Sequence, residues 1–76
     1  MATAFVLINT ELGQGSQVET LLKDICQVKE VYAVYGVYDY IIKLETRSMH
    51  DLKDIITDKI RRIRYIRSTL TLINIE

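Results

Sequence analysis

The sequence of 76 residues predicts an α+β domain whose elements follow the order β-α-β-β-α-β. Three observations lead to this prediction. Short runs rich in β-branched and aromatic residues are typical of strands. Longer segments repeat apolar residues at the spacing of an amphipathic helix. The strand–helix–strand unit also occurs twice along the chain. The predicted strands span residues 4–10, 31–37, 40–45 and 66–75.

The first predicted strand carries an unbroken apolar run from Phe5 to Ile8, so both of its alternating faces are apolar. A strand of that kind lies in the centre of a sheet, with something covering each side. The last strand starts differently, because Ser68, Thr69 and Thr71 precede its apolar residues. Those apolar residues are Leu72, Ile73 and Ile75.

Each predicted helix begins at a serine that is followed three residues later by an acidic residue. Ser16 with Glu19, and Ser48 with Asp51, have the spacing of a capping arrangement, which satisfies free backbone N–H groups in the first turn. Apolar residues on one face follow each start. They are Val18, Leu21, Leu22 and Ile25 in the first helix, and Met49, Leu52, Ile55, Ile56, Ile60 and Ile63 in the second.

The second and third strands are joined by the segment Gly36-Val37-Tyr38-Asp39. Glycine tolerates positive φ and aspartate hydrogen-bonds to nearby backbone, so this segment is expected to reverse the chain. The third strand then places Tyr40, Ile42 and Leu44 on one face.

Right-handed crossovers convert this order into a ferredoxin-like arrangement, an antiparallel sheet of strand order 4-1-3-2 with both helices on one face. The first strand is then central. Its sequence leaves open whether Ala4, Val6 and Ile8 or the alternate residues face away from the helices. Either choice leaves an apolar sheet face uncovered, and such a patch usually marks an interface. We therefore expect a dimer in which sheet stacks on sheet.

Composition narrows the possible functions. Ten basic residues balance ten acidic ones, whereas general nucleic-acid binders show a basic excess. No apolar run reaches about 18 residues and the start lacks a signal-peptide pattern, so we expect a cytoplasmic protein without membrane contact. The single cysteine excludes a disulfide within the chain. Residues 1–76 are expected to form one domain, and a domain this small needs good packing or a partner chain.

Candidates for catalysis are few. Cys26 follows the apolar stripe of the first helix without a visible base, so we expect an ordinary core thiol. His50 opens the second helix without a metal-ligating partner, and we expect it to face solvent. A phosphate-binding glycine loop is missing from the sequence. These observations predict no enzyme activity, no cofactor and no metal.

A basic cluster extends from Lys59 to Arg67 and holds half of the basic residues. Cations at the end of a helix complement the helix dipole, which is the simpler interpretation. A nucleic-acid surface is the alternative. RNA-recognition modules share the predicted element order, but their third strand carries glycines and exposed aromatic residues that residues 38–44 lack.

The hairpin tip is the segment that best suits a ligand. Its backbone N–H groups could hold a carboxylate while Asp39 holds an ammonium group, as a zwitterion requires. The alternative is that Gly36 only permits the turn and Asp39 only caps it.

Two segments of the chain form a recognisable pair. Gly36-Val37-Tyr38-Asp39-Tyr40 and Ile66-Arg67-Ser68-Thr69-Leu70-Thr71 resemble the Gly-x-Tyr-Asp-Tyr turn and the Val-x-x-Thr-x-Thr stretch of the effector domain in Lrp/AsnC transcription regulators, called the RAM domain. The resemblance covers essentially the full chain. One departure precedes the last strand, where Arg64-Tyr65 stands in place of the Leu-Pro-Gly that is common in the family.

The resemblance implies a stand-alone RAM domain, since family members usually carry an N-terminal DNA-binding helix-turn-helix for which this chain has no room. Such domains dimerise through their sheets into an α/β-barrel-like dimer. The dimers assemble into octamers or decamers, with amino-acid effectors in clefts between dimers. A domain that lacks its own DNA-binding domain would regulate transcription or amino-acid metabolism through partners such as full-length Lrp/AsnC regulators. The implied effector-binding residues are Gly36, Val37, Tyr38, Asp39, Thr69 and Thr71, with Asp39 holding the ammonium group.

Two other interpretations stay open. Small dimeric α+β barrels include enzymes, but these are expected to place a His, Asn or Trp inside their cleft, and this chain has no Trp. The second is a purely structural oligomerisation subunit whose clefts stay empty.

Overall fold

The computed structural model describes residues 1–74 and confirms the predicted class and element order. The predicted end of the last strand at Ile75 lies outside the described residues. The elements are β1 (Ala2–Thr10), α1 (Gly15–Lys23), β2 (Val28–Ala33), β3 (Tyr40–Thr46), α2 (Met49–Ile55), the π-helical turn (Ile56–Ile60) and β4 (Ile66–Ile73). α2 continues directly into the π-helical turn, where the helical segment ends.

The sheet has the order β2-β3-β1-β4, which confirms the predicted order 4-1-3-2. Every pairing is antiparallel. β1 is central, as its two apolar faces require. Val6 of β1 lies opposite Ile42 on one side and Thr71 on the other. β2 and β4 are therefore the two edges of the sheet.

The structure decides which face of β1 the helices cover. Ala4, Val6 and Ile8 are completely buried beneath the helices. The alternate residues Phe5 and Leu7 point to the open face. The core is completed by Ile42 and Leu44 of β3 and by helix residues Val18, Leu22, Leu52, Ile56 and Ile60.

The predicted cap at Ser16 is wrong. The helix begins at Gly15, Gln14 takes the capping position, and that position makes no side-chain hydrogen bond within residues 1–74. Ser16 thus lies inside the first turn. Gly15 packs closely on the third strand, since a Cβ at this position would stand 3.1 Å from the Tyr40 hydroxyl oxygen. Glu19 forms a 2.8 Å ion pair with Lys23 instead.

α1 is also shorter than its apolar pattern indicated. It ends at Lys23, so Ile25 packs on the core from the loop that follows. Leu21 is 44% exposed rather than part of the buried stripe. Cys26 is exposed, which contradicts the expected core thiol. The loop carries Cys26 off the helix axis, and the helical periodicity no longer positions its side chain.

The second helix begins as predicted. The Ser48 hydroxyl accepts a hydrogen bond from the Asp51 N–H at 3.1 Å. His50 is largely exposed, as expected, and lies 3.3 Å from the Asp54 carboxylate. At the other end the Arg61 N–H donates to the Ile56 carbonyl at 3.0 Å, the wider spacing of a π-helical turn. None of the helices in residues 1–74 is long and apolar enough to cross a membrane.

The second strand begins and ends earlier than the predicted residues 31–37. It ends at Ala33. The Val34 N–H then donates to the Asp39 carbonyl at 2.9 Å, and this hydrogen bond closes the turn between β2 and β3. Gly36 has φ +146°, a conformation that other residues rarely adopt. At its other end the strand begins at Val28, and its register against β3 is irregular between Val28 and Glu30.

Candidate functional site

A cleft of about 500 Å³ opens at one end of the sheet. Three segments meet there: the end of β1 with the loop that follows it, the β2–β3 turn, and the beginning of β4. Antiparallel pairing brings them together, since β1 ends where β3 and β4 begin. The cleft is lined by Asn9, Thr10, Glu11, Leu12, Gly13, Val37, Asp39, Arg67 and Ser68.

Asp39 is held firmly at the cleft. One carboxylate oxygen, Oδ2, accepts hydrogen bonds from the Thr10 N–H at 2.8 Å and the Thr10 hydroxyl at 3.2 Å. Its own N–H donates to the Ile8 carbonyl at 2.9 Å. Asp39 therefore ties the hairpin turn to the end of β1. The second oxygen, Oδ1, takes no part in these bonds and can accept from a ligand.

The turn itself presents apolar surface beside this carboxylate. Val37 is 83% exposed and lines the cleft, and Tyr35, just before the turn, is fully exposed. On the far side, Leu12 is also fully exposed at the rim. The cleft thus has a polar interior and an apolar border.

The loop before β4 is joined to the loop after β1. The Glu11 N–H donates to the Tyr65 carbonyl at 2.7 Å. Tyr65 has φ +75°, a strained value for an aromatic residue and the one positive φ among the described non-glycine residues. Tyr65 follows Arg64 in the chain. The Arg64 guanidinium lies 5.5 Å from the Tyr65 ring centroid, a cation–π contact.

The cleft carries both signs of charge. Glu11 and Asp39 contribute carboxylates and Arg67 contributes a guanidinium. Arg67 forms no salt bridge within the part of the chain that the structure describes. A site with an available acceptor and an available cation matches the two charges of a zwitterion.

The six residues that the family resemblance implied do not all meet at this cleft. Val37 and Asp39 line it, and Gly36 and Tyr38 belong to the same turn. Thr69 and Thr71 face the helices instead, because they lie opposite the buried residues Ile8 and Val6 of β1. Thr71 lines a separate groove beside α2.

Sequence reasoning missed the loop after β1 and missed Arg67 as a cleft residue. The signal for the loop was present in Gly13-Gln14-Gly15, since glycines favour turns. The position of Arg67 beside Asp39 depends on strand pairing through β1, which local patterns do not reveal.

Two side chains at α1, outside the cleft, have shifted pKa values. Burial raises the pKa of Tyr40, and the neighbouring Glu19 carboxylate raises it further, but Tyr40 lies beneath α1. A hydrogen bond from Lys23 lowers the pKa of Glu19, which is partly exposed on the same helix. Among residues 1–74, no group of three or more His, Cys, Asp or Glu side chains is placed to hold a metal ion.

Comparison with known proteins gives a consistent result. Residues 3–76 match the sequence model of the Lrp/AsnC ligand binding domain. The HTH-type transcriptional regulator FL11 of Pyrococcus furiosus is 31% identical over 70 residues, which cover 92% of this chain and 46% of that protein. The chain thus spans about half the length of this regulator.

Solved structures of similar length share the fold closely. The crystal structure of FFRP-DM1 has a TM-score of 0.95 and 45% identity, with 99% of this chain and 100% of that chain covered. The hypothetical protein PHS023 from Pyrococcus horikoshii has a TM-score of 0.90 and 47% identity, covering 100% of this chain and 92% of that one.

Proposed function

Because the chain belongs to the Lrp/AsnC ligand-binding domain family, we propose that it is a regulatory module that binds an amino-acid effector and has no catalytic activity. The observation that carries this proposal is the cleft at the end of the sheet. It combines the fixed carboxylate of Asp39, the guanidinium of Arg67, which forms no salt bridge within residues 1–74, and an apolar border. The family consists of transcription regulators, which favours a cytoplasmic protein that acts in gene regulation.

The recognition chemistry follows from the geometry. The free oxygen of Asp39 accepts hydrogen bonds from the ammonium group of the effector. Arg67 and the backbone N–H groups of the turn hold the carboxylate, and charge-assisted hydrogen bonds of this kind are the strong ones. Val37 and Leu12 border the space left for the side chain. Thr69 and Thr71 would contribute only after rearrangement, because both face the helices.

The open sheet face supports a dimer. Phe5, Leu7 and Ile41 point away from the helices on the two central strands, and Leu7 lies opposite Ile41 and Leu70 in register. Leu70 and Leu72 add about half-exposed leucines from β4, and Tyr32 adds an aromatic ring from β2. The same face also carries Lys43, which lies opposite Phe5 and pairs with Glu45 at 3.4 Å. The apolar residues around this ion pair are typical of an interface, and a second copy stacked sheet on sheet covers them.

Dimers assembled into an octamer or a decamer would place the cleft against a neighbouring dimer. An effector that binds between dimers then favours one assembly over another through its different affinity for the two states. The apolar border of Leu12 and Val37 fits this location, because exposed apolar side chains are stabilised by a covering surface. Full-length regulators of the family are the partners that would carry the signal to DNA.

Isothermal titration calorimetry with each of the twenty amino acids tests the binding step. Asp39→Ala and Arg67→Gln each remove one charged contact and are expected to weaken the best ligand about tenfold or more. Asp58→Ala, which changes an exposed carboxylate on the helical segment, is the matched control and should bind like the parent protein. An amino acid that binds all three variants equally well would show that the cleft is not the site.

Co-assembly is tested separately. A purified full-length regulator of the family is mixed with the tagged chain, with and without the ligand found by calorimetry. We expect a mixed oligomer whose amount depends on ligand. Recovery of separate homo-oligomers at every ligand concentration would remove the partner step and leave the binding step untouched.

A further inference from the structure

A second concavity lies between the helical segment 49–60 and the edge strand β4. It has a volume of about 250 Å³, and we call it the α2–β4 groove. That volume equals about eight water molecules at ~30 Å³ each, enough for a small organic molecule. The groove shares no lining residue with the cleft. It is lined by Lys53, Ile56, Thr57, Arg61, Thr71 and Ile73.

One wall of the groove is cationic. Lys53, Thr57 and Arg61 recur every four residues, so they follow one another along one side of the helix. Lys53 and Arg61 form no salt bridge within residues 1–74, and none of the lining residues is acidic. The π-helical turn fixes the end of this wall through the hydrogen bond from the Arg61 N–H to the Ile56 carbonyl. The wall therefore presents two positive charges without a counter-ion from the described chain.

The floor of the groove combines apolar surface with an unsatisfied hydroxyl. Ile56 and Ile73 are buried or partly buried and contribute alkyl surface. The Thr71 hydroxyl oxygen is enclosed and has no hydrogen-bond partner among the described residues. A buried hydroxyl without a partner is costly, so native proteins rarely leave one. Because Thr71 also lines the groove, its hydroxyl is an unused hydrogen-bond donor at the groove floor.

We propose that the α2–β4 groove is a second ligand site, which binds a small carboxylic acid with a short branched alkyl chain. Lys53 and Arg61 pair with the carboxylate, and the Thr71 hydroxyl donates to one of its oxygens. The alkyl chain packs on Ile56 and Ile73. This site goes beyond the effector cleft, because it uses neither Asp39 nor the loop after β1.

Titration of the ¹⁵N-labelled protein with 4-methylpentanoate, followed by NMR, tests the site. We expect saturable shifts at the amides of Lys53, Thr57 and Thr71. The neutral analogue 4-methylpentanamide and the short acid acetate should each bind about tenfold more weakly or worse, because each lacks one half of the recognition. Absence of saturation with 4-methylpentanoate, or shifts confined to Val37 and Asp39, would overturn the proposal.

Variants separate a specific site from general charge attraction. Arg61→Gln is expected to weaken 4-methylpentanoate binding about tenfold. Arg62→Gln removes an exposed neighbouring charge outside the groove and should leave the dissociation constant unchanged. Equal weakening in the two variants contradicts the proposal.

Two further variants test the hydroxyl and the independence of the site. Thr71→Val should weaken binding while raising the urea midpoint of the free protein, because it removes the unpaired buried hydroxyl. Asp39→Ala should leave 4-methylpentanoate binding unchanged, whatever it does to amino-acid binding. Loss of binding in Asp39→Ala would assign the ligand to the cleft and refute the second site, while the proposed effector function would stand.

Discussion

Replacing Asp39 with alanine is expected to destabilise the protein even when no effector is present. The Asp39 carboxylate accepts two hydrogen bonds from Thr10, at 2.8 Å from the backbone N–H and 3.2 Å from the hydroxyl. The variant loses both and leaves the partly buried Thr10 N–H without a partner. Loss of a hydrogen bond to a charged group, with the other partner left unsatisfied, costs about 1–3 kcal/mol. Because Asp39 joins the turn to β1, we expect a decrease within this range in the free energy of unfolding.

Urea unfolding at one fixed protein concentration measures this decrease, since the stability of an oligomer depends on concentration. Asp39→Asn keeps one acceptor oxygen and should lose less than the alanine variant. Asp58→Ala changes an exposed carboxylate and should leave the midpoint unchanged. An Asp39→Ala midpoint equal to that of Asp58→Ala would refute the structural role assigned to the Thr10 contacts.

Three further predictions concern the interface, the turn and alkaline pH. Phe5→Lys places a charge on the open sheet face, where Phe5 is 39% exposed. We expect a monomer by light scattering that is still folded by circular dichroism. A dimer of unchanged mass would contradict the sheet interface. Gly36→Ala should lower the free energy of unfolding in urea by about 1–3 kcal/mol. The loss comes from the φ of +146° alone, since a Cβ at this position meets nothing within 4 Å. A variant as stable as the parent protein would show that the turn relaxes. Burial and the Glu19 carboxylate raise the pKa of Tyr40 above its ordinary 10.0. The folded state thus favours the neutral phenol. The contribution of Tyr40 to the free energy of unfolding is therefore complete below pH 10 and is lost as pH rises towards the higher pKa of the folded state. Tyr40→Phe should lose less stability at alkaline pH than the parent protein, measured as urea midpoints over a series of pH values. The same dependence of the midpoint on pH in both proteins would contradict this prediction.

The fold could be predicted because local patterns and chain topology agree. The continuous apolar run of β1 required a central strand, and the capping serine at Ser48 marked the true start of α2. Long-range contacts decided the rest. Both faces of β1 are apolar, so the sequence could not show that Val6 lies beneath the helices and Phe5 does not. The close approach of Gly15 to Tyr40 at the start of α1 joins residues that are far apart in sequence, so local patterns could not reveal it.

The candidate site was only partly accessible to sequence reasoning for the same reason. The turn residues Gly36 and Asp39 carry a local signature that can be recognised directly. The partner of Asp39 is Thr10, and the cation of the cleft is Arg67; both are brought there by strand pairing. Thr69 matches a family motif, but the register of β4 against β1 turns its side chain towards the helices.

Thermal unfolding of the purified protein against the twenty amino acids, with light-scattering mass on the same samples, tests the central claim most directly. A ligand that binds only the assembled native state raises the midpoint by mass action. The proposed mechanism predicts that one or two amino acids raise the midpoint and change the mass of the assembly. A stable assembly whose midpoint and mass respond to none of the twenty would contradict amino-acid sensing and favour a structural subunit.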